Sequence, residues 1–297
     1  MNFLTLDQLT QEDIYSILHR ANVLRGLWHS NAMPKTLSNK KIALWFYGSG
    51  FRNRVAFEIG ARAMGADVTY VPGELGVHEP IEDIAKYLNN WFSMIVIRCK
   101  RHEDLKKVAN DSVAPVINAR TEFNHPCEIL GDLQYVYNQR ATLDNLKIAF
   151  VGETTNLCMS WFEAARILPI EVIQVAPPEY LASNHILGDL NEGAVGKITT
   201  STSLENAVTK ETDIIYTDCW PKNDDTAQDR FMPYQVNASV VRRMNPKGFF
   251  MPCPPITRGQ EISVDSLASP QYCNIQAKEY LLHAQNALME HLFERSH

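Results

Sequence analysis

The hydrophobic positions along the chain predict alternating strands and helices. The almost continuously apolar run 41–47 ends in Gly48-Ser49-Gly50, as expected for a strand that is buried on both faces. A first amphipathic helix is predicted over 12–28. Strands are then predicted over 41–47, 67–71, 93–98 and 114–118, with helices over 53–64, 80–89 and 103–109. This alternation is typical of a parallel sheet covered by helices.

The alternation restarts after an amphipathic connecting helix over 126–141. Strands are predicted over 146–151, 171–175, 197–200, 214–216 and 248–251, with helices over 156–167 and 274–293. A single core usually stops growing near ~250 residues, and this chain has 297. We therefore predict an α/β protein with two domains, each with a central parallel sheet flanked by helices.

Composition narrows the classes of partner and compartment. Lys plus Arg number 28 against 34 for Asp plus Glu, so we expect neither nucleic acid nor an anionic membrane as partner. The first residues lack the features of a signal peptide, and no apolar run reaches the ~18 residues of a membrane span, which predicts a cytoplasmic protein. The six cysteines are scattered without metal-ligand spacing, so we expect reduced thiols and no metal site.

Chemically informative residues should follow the strands, because open parallel sheets bind ligands beyond their carboxyl ends. The turn Ser49-Gly50-Phe51-Arg52-Asn53 leaves a strand and enters a helix. Glycine lets the backbone approach an anion, the helix N-terminus presents free N–H groups, and arginine adds bidentate contacts. A structural turn with solvated arginines is the alternative interpretation.

Three further positions complete a candidate site. Arg98 closes a buried strand, where it either extends to solvent or meets a ligand. His125 opens the connecting helix and is either a donor to a carbonyl oxygen or merely a satisfied polar group. The loop Pro252-Cys253-Pro254-Pro255 is rigid and, taken alone, structural. Together these residues predict an anion pocket between two domains that suits group transfer.

These sites, in this order and at these spacings, resemble the aspartate/ornithine carbamoyltransferase family over nearly the entire chain. Arg52 falls within the counterpart of the family's Ser-Thr-Arg-Thr-Arg, and Arg98 matches its strand-end arginine. His125-Pro126-Cys127-Glu128 resembles the family's His-Pro-Cys-Gln. Tyr234-Gln235-Val236-Asn237 is similar to a stretch common in ornithine enzymes.

The resemblance implies a separate role for each part of the chain. Residues 1–140 would bind carbamoyl phosphate, residues 141–272 an amine-bearing amino-acid acceptor, and the C-terminal helix within 273–297 would pack back on the first domain. The family forms homotrimers that share active sites, and it needs no metal or organic cofactor.

Individual roles follow from the same resemblance. Arg52 and Arg98 would hold the phosphate, while Arg98 and His125 would polarise the carbamoyl oxygen. Asn156 and Asp218 would take the α-carboxylate and α-ammonium groups of the acceptor, with Cys253 near the attacking amine. A carboxylate at position 218 favours an ornithine-like acceptor over aspartate. The remaining expected contacts are Ser49, Gly50, Phe51, Asn53 and Glu128 on the donor side, and Lys222, Asn223 and Pro254 on the acceptor side.

Several positions depart from the family pattern. Ser-Thr-Arg-Thr is replaced by Gly50-Phe51-Arg52-Asn53, which removes phosphate-binding hydroxyls. Glu128 replaces a glutamine and would either repel phosphate or meet a positive group. Lys222-Asn223-Asp224 stands for the Ser-Met-Gly acceptor loop, and Leu281 for an arginine of the last helix.

We therefore expect a diverged paralogue of ornithine carbamoyltransferase. Three hypotheses remain open at this point. The first is carbamoyl transfer to an ornithine-like amine, the second is transfer of another acyl or phosphoryl-type group, and the third is a non-catalytic small-molecule binding or assembly subunit.

Overall fold

The computed structural model of the chain describes residues 1–222 and 226–295. It forms two compact units, one made of Met1–Ala141 with Lys278–His297 and the other of Thr142–Ala277. Each has its own parallel sheet, of four strands in the first unit and five in the second. The boundary between the units falls inside the last helix.

The elements of the first unit alternate as the hydrophobic pattern predicts. They are α1 (Gln11–His29), β1 (Lys41–Phe46), α2 (Phe51–Ala63), β2 (Asp67–Pro72), α3 (Ile81–Trp91), β3 (Met94–Arg98), α4 (His102–Asp111), β4 (Val116–Arg120) and α5 (Pro126–Arg140). The strands lie in the order β2-β1-β3-β4, and all neighbours are parallel. Because β1 and β3 are central and carry apolar side chains on both faces, helices must cover both sides of this sheet.

The second unit repeats this architecture with five strands. Its elements are β5 (Lys147–Val151), α6 (Asn156–Ile167), β6 (Glu171–Val175), α7 (Asn184–Asn191), β7 (Lys197–Ser201), α8 (Leu204–Ala207), β8 (Ile214–Thr217), α9 (Ala227–Phe231), α10 (Ala238–Val241) and β9 (Phe249–Pro252). The parallel order is β7-β6-β5-β8-β9. Trp161, Phe150 and Tyr216 form a fully buried aromatic cluster against the central strands.

The last helix, α11 (Asn274–Glu294), packs back on the first unit as expected. Glu290 accepts two hydrogen bonds from Arg20 of α1, at 2.6 and 2.9 Å. Tyr280 donates to Asn138 of α5 at 2.7 Å, and Gln285 donates to Asn53 of α2 at 2.8 Å. These contacts explain why a helix at the end of the chain belongs to the unit at its beginning.

Two features differ from the sequence expectation. The strand predicted over 114–118 runs instead from Val116 to Arg120, because Pro115 has no N–H to donate and the ladder continues past Asn118. The helices α7, α8, α9 and α10 were not expected. They span four to eight residues, too few for a periodic pattern, and three of them begin at side-chain caps from Ser183, Ser203 and Asn237.

A search of the described residues for membrane-spanning helices finds none of sufficient length and apolarity. The longest described helix, α11, carries charged and polar side chains at several positions along its length.

The packing of α11 against α2 predicts opposite effects for two glycine substitutions. A Cβ on Gly60 would lie 2.3 Å from Oδ1 of Asn286, whose side chain is fully buried, whereas a Cβ on Gly26 in α1 has no neighbour within 4 Å. Gly60→Ala should lower the free energy of unfolding by about 1–3 kcal/mol through overpacking. Gly26→Ala should raise it by about 0.5–1 kcal/mol through helix propensity. Urea unfolding of both variants tests this, and equal effects would contradict the described packing.

Candidate active site

The carboxyl edge of the first sheet collects three cationic elements. Register pairs Phe46 at the end of β1 with Arg98 at the end of β3, and Arg98 with Arg120 at the end of β4. The turn after β1, which leads to Arg52, therefore lies beside Arg98, and Arg120 follows on the next strand. This edge is where an open parallel sheet binds its ligand.

Gly50 allows Arg98 to lie against this turn. Gly50 is the N-cap of α2 with φ of +40°, a left-handed conformation. A Cβ at this position would lie 2.8 Å from Cδ and 3.0 Å from Nε of Arg98. The Arg98 Nε donates to the carbonyl of Tyr47 at 3.2 Å, which fixes the guanidinium over the turn. The loss of a hydroxyl at position 50 is therefore coupled to the position of Arg98.

The arginines repel one another. Burial is the main cause that lowers the pKa of Arg98 to about 10, and Arg120 and Arg52 add to the effect. The Arg52 guanidinium lies over the ring of Phe51, 5.3 Å from its centroid. A multiply charged anion at this edge would relieve the repulsion, so the electrostatics favour such a ligand.

Glu128 meets a positive group, which was one of the two outcomes considered for it. Lys278 of α11 lies 2.8 Å from Glu128 and 2.7 Å from Asp132, both on α5. Burial alone would raise the pKa of Glu128, but Lys278 and His125 lower it below its usual range. The carboxylate is thus ionised and compensated inside the protein.

Amide groups extend this buried network to the turn. Asn53 donates to Glu128 at 2.8 Å, and Gln285 donates to Asn53 at the same distance. Asn53, which replaces a family threonine, therefore donates a hydrogen bond to Glu128, which replaces a family glutamine. These two departures and Lys278 form one connected arrangement.

His125 begins α5 beside this network and is neutral at physiological pH. Its Nε2 lies 3.7 Å from Glu128 Oε2. Burial lowers the pKa of His125 to about 3; Glu128 opposes the shift, and Arg98, Arg120 and Lys278 add to it. A neutral imidazole can donate one hydrogen bond to an oxygen on which negative charge develops.

An apolar cavity borders the turn. It measures about 260 Å³. Phe51 is 58% exposed and forms part of its wall. The other lining residues are Trp28, Arg52, Val55, Ala56, Ile59, Lys278, Glu279, Leu281, Leu282 and His283. Leu281, which stands where the family has an arginine, contributes to this apolar lining.

The second unit gathers its predicted residues at the corresponding edge of its own sheet. Asn156 is the first residue of α6, after β5, and Asp218 follows β8, the strand beside β5. The backbone N–H of Cys253, after β9, donates to Thr217 at 2.8 Å. Cys253 precedes the cis bond between Pro254 and Pro255. Lys222, four positions after Asp218, is exposed. Asn223 and Asp224 lie outside the described residues.

Acidic groups surround Asp218. Burial raises the pKa of both Glu153 and Glu261, and the negative charge of Asp218 adds to each shift. Burial and the same charge raise the pKa of Cys219 to about 11, so this thiol is not a thiolate at neutral pH. An accumulation of carboxyl groups favours a ligand with an ammonium group.

The sequence analysis missed several members of both sites. Arg120 escaped notice because the strand that it ends was predicted to stop at Asn118. Lys278 and Gln285 lie seven positions apart on α11, so they share one face of that helix. Polar residues at this spacing among apolar ones were the available signal. The remaining missed residues are Asp132, Glu153 and Glu261.

Two family models match consecutive parts of the chain. The model of the aspartate/ornithine carbamoyltransferase carbamoyl-P binding domain matches residues 1–138, and that of the Asp/Orn binding domain matches residues 144–292. The chain belongs to the aspartate/ornithine carbamoyltransferase family.

Individual relatives agree with this membership. An ornithine carbamoyltransferase of Psychrobacter arcticus is 32% identical over 99% of this chain and 96% of its own length. One of Methanosphaera stadtmanae is 33% identical over 99% of both chains. The solved structure of the Pyrococcus furiosus ornithine carbamoyltransferase superposes with a TM-score of 0.91 at 28% identity, covering 97% of this chain and 95% of that one.

The buried ion pair predicts a measurable coupling. Lys278→Met should lower the free energy of unfolding by about 3–5 kcal/mol, because it leaves two buried carboxylates without their cation. Glu128→Gln should cost less, since Asp132 still pairs with Lys278, and the double variant should be more stable than the sum of the single effects by about 0.5–3 kcal/mol. Chemical unfolding of the four proteins completes the cycle.

A surface pair serves as control for this cycle. Lys106 and Glu103 form an exposed ion pair at 2.9 Å, so Lys106→Met should change stability by no more than about 0.5 kcal/mol. Strict additivity of Lys278→Met and Glu128→Gln would show that the two side chains do not interact.

His125 predicts a loss of stability in mild acid. Its pKa is lower in the folded protein than in the unfolded chain, so the unfolded state binds the extra proton and stability falls as pH decreases from about 6.5 towards 3. His125→Gln should reduce the slope between pH 5 and 6.5 by up to about 1.4 kcal/mol per pH unit. His185→Gln, on the exposed side of α7, is the control. Identical slopes in wild type and His125→Gln would refute the buried neutral imidazole.

Proposed function

We propose that this protein transfers a carbamoyl group from carbamoyl phosphate to the side-chain amine of ornithine or an ornithine-like amino acid, with release of phosphate. The observation that carries the proposal is the cluster of Arg52, Arg98 and Arg120 beside neutral His125, in a chain whose two halves both match the carbamoyltransferase family. The relatives named ornithine carbamoyltransferase support ornithine as the acceptor.

In this proposal the first unit binds the donor. Arg52 and Arg98 contact the phosphate. Burial lowers the pKa of Arg98, and the phosphate charge offsets the additional lowering by Arg120 and Arg52. Ser49 and the backbone N–H groups at the start of α2 supply further donors, replacing the hydroxyls absent at Gly50 and Phe51. Glu128 does not repel the phosphate as a bare charge would, because Lys278 compensates it.

His125 and Arg98 act on the carbamoyl oxygen. When the amine attacks, the carbonyl carbon becomes tetrahedral and its oxygen gains negative charge. A neutral imidazole donor and a guanidinium stabilise this charge more than that of the ground state, and such stabilisation lowers the barrier. The new N–C bond forms, the C–O bond to phosphate breaks with its electron pair on the phosphate oxygen, and the departing phosphate takes up the proton that the amine loses.

The second unit binds the acceptor in the proposal. Asn156 offers amide contacts to the α-carboxylate, and Asp218 accepts from the α-ammonium group. The acidic surroundings of Asp218, with Glu153 and Glu261, support an acceptor that carries a second amine, as ornithine does, over aspartate with its second carboxylate. Cys253 and Pro254 lie near the attacking amine, while Lys222 and Asn223 take the position of the family's acceptor loop.

Assembly and location complete the proposal. Family resemblance favours a homotrimer in the cytoplasm. All six cysteines are free thiols in the structure. Light scattering of the purified protein would test the trimer directly.

Two arginines on one helix provide a sharp test. Arg52→Ala should lower kcat/KM for carbamoyl phosphate by about 10²–10³-fold, because a charge-assisted contact to the transferring group is lost. Arg54→Ala is the matched control, since Arg54 pairs with Glu58 at 3.0 Å and lies over the ring of Tyr70. Steady-state rates and product masses with carbamoyl phosphate and ornithine provide the readout.

The outcomes separate the competing hypotheses. We expect a carbamoylated amine, with Arg54→Ala within about tenfold of wild type. Full activity in Arg52→Ala would refute the donor assignment. A product of different mass would indicate transfer of another group, and saturable amino-acid binding without turnover for any donor would indicate a binding subunit.

A further inference from the structure

Three potential metal ligands meet where α1 ends against α11. His29 is the last residue of α1, and Glu279 and His283 lie one turn apart on α11, so they share one face of that helix. One ligand atom from each residue lies within 4.8 Å of the others. Within residues 1–222 and 226–295, no other group of at least three His, Cys, Asp or Glu side chains meets this criterion.

The three side chains differ in freedom. His29 Nε2 lies 2.9 Å from Glu279 Oε1, and the side chains of both residues are partly exposed, at 53% and 39%. His283 Nε2 lies 3.8 Å from the same oxygen, beyond hydrogen-bond distance, and its side chain is only 1% exposed. His283 is therefore the fixed member of the group, whereas the side chains of His29 and Glu279 have room to move.

The buried imidazole of His283 points independently to a ligand. Neither ring nitrogen makes a hydrogen bond to the described residues, although buried polar groups are normally satisfied. The ring is held edge-on by Trp28 and Tyr280.

A hydrogen bond from Arg25 of α1 orients Glu279. Arg25 Nε donates to Glu279 Oε1 at 2.9 Å, and its guanidinium lies over the ring of Tyr280. Metal-ligating carboxylates commonly accept such a supporting hydrogen bond.

We propose that His29, Glu279 and His283 form a binding site for a divalent transition metal such as Zn²⁺. Two imidazole nitrogens and one carboxylate oxygen suit Zn²⁺, Co²⁺ or Ni²⁺, whereas Mg²⁺ and Ca²⁺ prefer oxygen ligands alone. Ligand atoms around tetrahedral zinc are about 3.3 Å apart. The separations of up to 4.8 Å between the three ligand atoms therefore have to shorten by at most about 1.5 Å, which the exposed side chains of His29 and Glu279 can supply. Water occupies the fourth position.

The site borders the candidate donor turn but does not depend on its function. Glu279 and His283 line the same cavity as Phe51, Arg52 and Lys278. A metal here would connect the end of α1 to α11 and stabilise that packing by binding only the folded state. The proposal concerns binding alone and stands whether or not the protein transfers a carbamoyl group.

Titration of the metal-stripped full-length protein tests the proposal. Calorimetry with Zn²⁺ should give one site per chain, and Co²⁺ should produce visible bands of a tetrahedral nitrogen and oxygen site without a thiolate charge-transfer band. His29→Ala and His283→Ala should each weaken binding at least tenfold. Because His29 is exposed, its removal leaves the fold intact even if His283→Ala destabilises the protein.

His185→Ala is the matched control. His185 lies 2.8 Å from Asp189 at the same spacing of four residues on an exposed helix, and among the described residues no third potential ligand joins them. This variant should retain wild-type affinity. Absence of binding at about 0.1 mM Zn²⁺, an unchanged affinity in His29→Ala, an equal loss in His185→Ala, or a thiolate band from Co²⁺ would each overturn the proposal.

Discussion

The ion pairing of Lys278 with Glu128 and Asp132 is the constraint on which the first unit depends. Two carboxylates that are almost fully buried share one ammonium group, and removing Lys278 would leave both of them without a cation. The interaction joins α11 to α5, and through Asn53 it reaches the turn at the start of α2. It also affects the electrostatics of the donor site, because Glu128, whose negative charge would repel an anion, is paired with Lys278.

Much of the architecture could be predicted because strands buried on both faces and amphipathic helices have distinct periods. The strands of both sheets and the long helices followed from that pattern. Pro115 shifted β4 by two residues, which concealed Arg120. The short helices α7 to α10 are too short to show periodicity, and three of them, α7, α8 and α10, begin at side-chain caps. The position of Asn274–Glu294 on the first unit came from resemblance, since a helical pattern does not specify its packing partner.

The candidate site was predictable where a residue ends a strand or lies in the segment that follows it. Arg52, Arg98 and Asp218 belong to this class, because the parallel topology alone brings strand ends together. The partner of Glu128 could not be predicted in the same way. Lys278 comes 150 positions later in the chain, and the hydrophobic pattern of a helix does not say which buried carboxylate its lysine meets. The same limit applies to His283, whose burial without a hydrogen-bond partner is a property of tertiary packing.

Departures from the family pattern at positions 50, 53 and 128 are mutually consistent in the structure. Gly50 accommodates Arg98, Asn53 donates to Glu128, and Glu128 pairs with Lys278. The central claim is that this rearranged edge still binds a phosphorylated donor. Calorimetric titration with carbamoyl phosphate, using inorganic phosphate as control, tests it most directly. The account predicts saturable binding in the ~1 μM–1 mM range with preference for carbamoyl phosphate. No heat from either ligand, in the absence and presence of ornithine, would contradict it.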